Sequence, residues 1–347
     1  MKKLLSLGLA AMLAFGLATT SFAAEAGSDA SEAGTGSSTT TTPTDQETVT
    51  IHKMYKLENA DTKSPAETFT LEQVGNGTVE DGEAQSAPAL GDITGATYAA
   101  GAATTGDGTS GDIIVTLPTY DTVGVYSYTL REIAGTTAGV TYYGKDIKLV
   151  VTVINDGNDK LRVAAVHTES KGEDKADYFP NIYKAGALSV TKEVIGNLGN
   201  KDKEFNVTVT FTKPADKTIG EAISYIVGTD TKTIAANAWT GNTATVTIAL
   251  KHGQTITFTN IPYDVTYNVT EADYTGEGKD NGYKQPVYEY SDDNKKIDSA
   301  TDTVKIINEK VGTIDMGVTL NNMPYILVLA VLAAGVAVFV IRKRRED

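Results

Sequence analysis

Residues 48–53, Thr-Val-Thr-Ile-His-Lys, alternate polar and apolar side chains in a β-branched run and end on a lysine. Side chains two apart on a strand share a face, so Lys53 stands with Val49, Ile51 and Tyr55. The same grammar returns at residues 188–192, Leu-Ser-Val-Thr-Lys, where Lys192 lines up with Leu188, Val190 and Val194. A glutamate ending a second strand-like run follows each lysine at equal distance, 132 − 53 = 79 for Glu132 and 271 − 192 = 79 for Glu271. An asparagine closes a third run in each half, Asn181 in DYFPN and Asn308 in VKIIN.

The remaining partners obey the same parity. Glu132 shares its face with Tyr126, Tyr128 and Leu130, and Asn181 with Phe179. Glu271 shares its face with Val265, Tyr267 and Val269, and Asn308 with Val304 and Ile306. All six polar residues are therefore expected on core-facing sides, where a charge is costly unless paired or neutralised. Desolvation lowers a lysine pKa and raises a glutamate pKa, which makes a neutral amine and a protonated carboxyl accessible. Such an amine can attack the asparagine carboxamide while the glutamate, Glu132 or Glu271, polarises it and shuttles protons as ammonia leaves. The expected products are Lys53–Asn181 and Lys192–Asn308 amide crosslinks, formed once per domain with no cofactor and no metal. That chemistry describes a stapled structural protein, not a turnover enzyme.

The chain has 347 residues, no cysteine and a net charge of −14. Acidity argues against nucleic acid, whose phosphates need clustered Lys and Arg. Residues 1–23 read as a signal peptide, with Lys2 and Lys3 before an apolar run and Ser21-Phe22-Ala23 at the cut. Residues 24–46 are a Ser/Thr/Gly-rich segment that lacks the bulk to fold, and read as a flexible leader. Residues 325–341 form a second apolar run, close to the lower limit for a transmembrane helix. Residues 342–347 carry the basic cluster that stays in the cytoplasm. The body is thus expected outside the cell, attached to the membrane through the C-terminal helix. A secreted chain without cysteine cannot use disulfides, which gives an amide staple a purpose.

Between the ends, short alternating runs rich in Val, Ile, Thr and Tyr are separated by Gly, Asn and Asp. Asn155-Asp156-Gly157-Asn158 reads as a hairpin turn in preference to a calcium loop. No stretch has helical periodicity. The pattern predicts an all-β chain of two tandem Ig-like β-sandwich domains, residues 47–184 and 185–311. The Gly/Thr-rich stretch 91–111 reads as a surface loop. Its Gly106-x-Gly108-x-x-Gly111 precedes a strand-like run, so it is no dinucleotide site. The three histidines are scattered, which speaks against a transition-metal site.

These motifs resemble the major (backbone) pilin subunits of Gram-positive bacteria, in particular the streptococcal two-domain type with pilin isopeptide linkage domains. The resemblance rests on TVTIHK with Phe69 downstream, GVYSYTLRE, GVTYYGKDIKLVVTV and YFPN in the first half. In the second half it rests on LSVTKEVIGN, VTYNVTEADY and KIINEK, with GVTLNNMPYI before the apolar tail. It implies lysine and asparagine on the first and last strands of each domain and glutamate on a facing strand. It also implies a subunit polymerised or anchored by a sortase on the Gram-positive cell surface, with identical subunits, other pilins and host surface ligands as partners.

By that resemblance the inter-subunit linkage falls on Lys175, six residues before Asn181, with Lys171 as the fallback. The sorting region is residues 312–324, where Thr313-Ile314-Asp315-Met316-Gly317 replaces the family's LPxTG pattern. Only the glycine matches, so the site of cleavage would be Met316-Gly317. A non-polymerising adhesin or stalk built from the same domains is the alternative that this divergence favours. A hydrolase using Glu132 or Glu271 as an acid would instead require open clefts around these carboxyls.

Overall fold

The computed structural model describes residues 46–157, 160–170, 178–227, 229–278 and 280–312. The signal peptide, the leader up to residue 45, Lys171, Lys175, Met316, Gly317 and the apolar tail lie outside the described residues. The described chain is all-β, with no helix. Its first half contains β1 (Thr48–Leu57), β2 (Glu67–Phe69), β3 (Leu71–Gln73), β4 (Thr78–Gly82), β5 (Ile93–Thr94) and β6 (Ala96–Tyr98). There follow β7 (Thr109–Thr116), β8 (Gly124–Glu132), β9 (Val140–Thr141), β10 (Ile147–Asn155), β11 (Leu161–Ser170) and β12 (Phe179–Tyr183). The second half contains β13 (Ala185–Ile195), β14 (Phe205–Thr212), β15 (Ile223–Val227), β16 (Asp230–Ile234) and β17 (Thr243–Leu250). It closes with β18 (Thr255–Pro262), β19 (Thr266–Glu271), β20 (Val287–Tyr290) and β21 (Thr301–Glu309).

In the first half, a sheet ordered β5-β7-β1-β12-β9 faces one ordered β11-β10-β8-β3, with β4 also paired to β8. In the second half, a six-stranded sheet ordered β16-β15-β18-β13-β21-β20 faces a three-stranded sheet ordered β17-β14-β19. Each half builds its own core from the alternating inward residues, Val49, Ile51, Tyr55, Tyr126, Tyr128 and Phe179 in one. Leu188, Val190, Val207, Val209, Phe211 and Phe258 serve in the other. In each half the first strand pairs in parallel with the last, β1 with β12 and β13 with β21. That topology places the ends of each half side by side, although almost the whole half intervenes in sequence.

Residues 91–111 are more than the surface loop expected. Ala96, Tyr98 and Ala103 are buried, β6 pairs with β2, and the Tyr98 hydroxyl donates to the Lys53 carbonyl at 2.5 Å. The Ala-Thr-Tyr alternation was submerged in a Gly/Thr-rich composition, and it turns one large ring inward against Tyr55 and Phe69.

The two halves are joined by more than the single residue Lys184 between β12 and β13. Asn59 donates to the Ala185 carbonyl at 2.6 Å and to the Tyr263 hydroxyl at 3.1 Å. The Lys63 backbone donates to Asn260 Oδ1 at 2.9 Å, and Lys63 Nζ lies 3.1 Å from Glu221. Thr137 bridges to Thr218, and Ala138 packs into the second core.

Candidate functional site: two buried Lys-Glu-Asn clusters

The first cluster is assembled by the parallel β1–β12 pair and the facing strand β8. Strand parity directs Lys53, Glu132 and Asn181 inward among aromatic residues, and all three are buried. Lys53 Nζ donates to Glu132 Oε2 in a very short contact and to Asn181 Oδ1 at 2.7 Å. Asn181 Nδ2 donates to Glu132 Oε1 at 2.5 Å. One carboxylate therefore bridges the amine and the amide nitrogen, one oxygen to each. Phe69 and Tyr143 flank the ammonium, with ring centroids 5.5 and 5.4 Å from Nζ. Burial pulls the lysine down from 10.5 to about 8, against the opposing charge and hydrogen bond of Glu132.

The second cluster repeats the plan on β13, β21 and β19. Lys192 and Asn308 are buried, and the Glu271 side chain is fully covered. Lys192 Nζ donates to Asn308 Oδ1 at 2.6 Å, and Asn308 Nδ2 donates to Glu271 Oε2 at 2.6 Å. Register is conserved between the clusters: Asn181 is opposite Tyr55 and Asn308 opposite Val194, each two residues beyond its lysine. The Phe205 ring lies 4.5 Å from Lys192 Nζ. Burial lowers the Lys192 pKa and raises that of Glu271, each opposed by the other's charge.

The clusters differ in how the lysine is held. Lys192 also donates to the Glu193 carbonyl at 3.1 Å and the Ile306 carbonyl at 3.3 Å. Glu271 Oε1 stands 3.4 Å away and accepts no hydrogen bond. All six residues singled out from the sequence are thus brought together, three and three. Sequence reasoning missed the donors and rings around them: Tyr143 lies inside the quoted GVTYYGKDIKLVVTV, yet neither its spacing nor that of Tyr98 and Phe205 ties them to the clusters.

The first cluster holds what an amide exchange needs: a desolvated amine, a carboxamide in contact with it, and one carboxyl touching both nitrogens. The second has the same groups, with its carboxyl bonded to the carboxamide alone. Neither carboxyl side chain is exposed, as an acid acting on a bound substrate would have to be.

An all-β chain that joins first and last strands over buried Lys-Glu-Asn clusters has the build of a Gram-positive surface pilin. Residues 28–184 match the family of Spy0128-like isopeptide containing domains. Residues 186–310 match a different family, a domain of unknown function (DUF7601). A Streptococcus pyogenes serotype M1 protein named pilin is 26% identical over 245 residues, spanning 65% of this chain and 69% of its own length. The crystal structure of the major pilin from Streptococcus pyogenes is similar with a TM-score of 0.53 at 23% identity, covering 78% of this chain and 100% of that one. The T-13 major pilin of the same species gives a TM-score of 0.51 at 19% identity, covering 77% and 98%. These solved structures speak to the fold. The chain is similar to streptococcal major pilins, as its motifs indicated.

Proposed function

We propose that this chain is a structural backbone subunit of a cell-surface pilus, built from two tandem Ig-like domains at residues 47–184 and 185–311. Each domain carries one self-formed amide bond, Lys53–Asn181 and Lys192–Asn308. The observation that carries this reading is the bridging carboxyl, which touches the amine and the carboxamide nitrogen in the first cluster. The second cluster keeps the carboxamide contact.

The reaction begins with transfer of one proton from the lysine ammonium to the glutamate, leaving a neutral amine and a carboxylic acid. Nζ then attacks Cγ of the asparagine, and the carboxamide oxygen takes up negative charge. The carboxylic acid protonates Nδ2, and the resulting carboxylate removes a proton from Nζ. Collapse restores the carbonyl, breaks the Cγ–Nδ2 bond and releases ammonia. The glutamate ends protonated, and no further reactant is consumed.

A sortase then joins subunits, with Lys175 as the accepting amine and Met316-Gly317 as the cleavage site, and the C-terminal apolar run holds the precursor in the membrane. Immunoblots of cell-wall extracts test this part. A high-molecular-weight ladder that disappears in a Lys175→Ala strain is the expected result. A single monomeric band in the wild-type strain would instead make the chain a non-polymerising stalk.

A further inference from the structure

Asn181 Oδ1 accepts two hydrogen bonds, one from Lys53 Nζ at 2.7 Å and one from the backbone N–H of Tyr143 at 2.9 Å. These donors have different fates. Nζ leaves the oxygen when it attacks the neighbouring carbon, whereas the Tyr143 N–H stays. From this geometry we infer that the Tyr143 main-chain N–H is a catalytic oxyanion donor, aimed at the oxygen that becomes negative during closure of the Lys53–Asn181 bond. This inference rests on the crosslinking reading above.

The donor is held in place from two sides. Tyr143 lies in the connection between β9 and β10, outside regular strand pairing. Its ring packs edge-on against Phe179 with centroids 5.3 Å apart, and its hydroxyl meets the buried Ser170 in a short contact. Phe179 and Asn181 are alternate residues on one face of β12. The strand that presents the carboxamide therefore also presents the ring that fixes the donor. A donor pre-aimed in a dry site needs no reorganisation as charge develops, which is the condition under which such groups contribute most. Its role in the balanced reaction is limited to stabilising the oxyanion between attack of Nζ and departure of Nδ2 as ammonia; it gives up no proton.

The second cluster supplies a built-in comparison. Among the described residues, Asn308 Oδ1 accepts only from Lys192 Nζ. No backbone N–H among the described residues takes the place of Tyr143 there, which makes the donor a feature of the first cluster.

The test replaces Tyr143 in the full-length chain by its α-hydroxy acid, which turns one backbone N–H into an ester oxygen and keeps the ring and hydroxyl. Peptide mapping by mass spectrometry follows both bonds over time after refolding, beside the wild type. The expected result is closure of Lys53–Asn181 slowed roughly a hundredfold to a thousandfold, with Lys192–Asn308 closing at the wild-type rate in the same molecules. Closure of the first bond at the wild-type rate would overturn the inference and leave the crosslinks standing. Absence of both bonds from the wild type would overturn the crosslinking reading and the inference together. Should the ester chain fail to fold, amide exchange in the wild type decides the matter: a protected Tyr143 N–H supports the donor, and one that exchanges as freely as an exposed loop contradicts it.

Discussion

Lys53 and Asn181 sit on neighbouring parallel strands, with Asn181 in register with Tyr55 and its carboxamide oxygen 2.7 Å from the lysine Nζ. A bond between them would tie the first strand to the last, where tension enters and leaves the domain. The two residues to be joined are 128 positions apart in the first domain and 116 in the second. Single-molecule stretching of the wild type should therefore show no extension from residues 54–180, and an Asn181→Ala chain should show it. By analogy with disulfide loop entropy, each closure stabilises on the order of 5 kcal/mol.

The unreacted first cluster makes a prediction about pH. Burial holds the folded Lys53 at about 8, below the 10.5 of an exposed lysine. Below that window both states carry the proton; inside it the unfolded chain keeps a proton that the folded chain has lost. Stability therefore rises with pH through the window. Urea unfolding of Asn181→Ala, which cannot close the bond, should show this rise. The Lys53→Met/Asn181→Ala chain should lack it, and equal slopes would refute the assignment of Lys53 as a desolvated amine.

The two clusters should close in order. Lys53 touches its glutamate directly, whereas Lys192 directs hydrogen bonds to the carbonyls of Glu193 and Ile306 and stands 3.4 Å from Glu271 Oε1. Proton transfer to the carboxyl needs less rearrangement in the first. A refolding time course mapped by mass spectrometry should find Lys53–Asn181 complete before Lys192–Asn308. The reverse order would show that these contacts do not set the rate.

Asn260 links the halves from a left-handed backbone, with φ of 62°, while its side chain accepts from Lys63 N and donates to the Ala222 carbonyl. Asn260→Gly keeps the conformation and loses the bonds; Asn260→Ala loses both. The glycine variant should cost about 1 kcal/mol for each lost bond, and the alanine variant about 1 kcal/mol more. Urea denaturation measures both, and equal stability of the two variants would mean that the backbone conformation is not a constraint.

What the sequence made legible follows from what a strand encodes. Period-two alternation set the faces of β1, β8, β13 and β21, and the residue parity alone aimed all six cluster residues inward. The short partners β2, β5, β6 and β9 were illegible, since two or three residues carry no period and their pairing is fixed by contacts far away in sequence. Tyr98 was hidden for that reason within its Gly/Thr-rich segment. The Tyr143 donor was hidden for another: a backbone N–H is present at nearly every residue, and only the packing of its ring on Phe179 gives this one a direction. The contrast between the clusters was equally unreadable, because equal Lys–Glu spacing does not reveal that Lys192 also reaches two main-chain carbonyls.

Intact mass spectrometry of the purified chain tests the crosslinks most directly. The wild type should lack two ammonia molecules relative to its sequence. Glu132→Ala and Glu271→Ala should each restore one, with the retained bond mapping to the other domain. A wild-type mass equal to that of the unreacted sequence, unchanged in both variants, would contradict the assignment of these clusters as self-forming amide bonds.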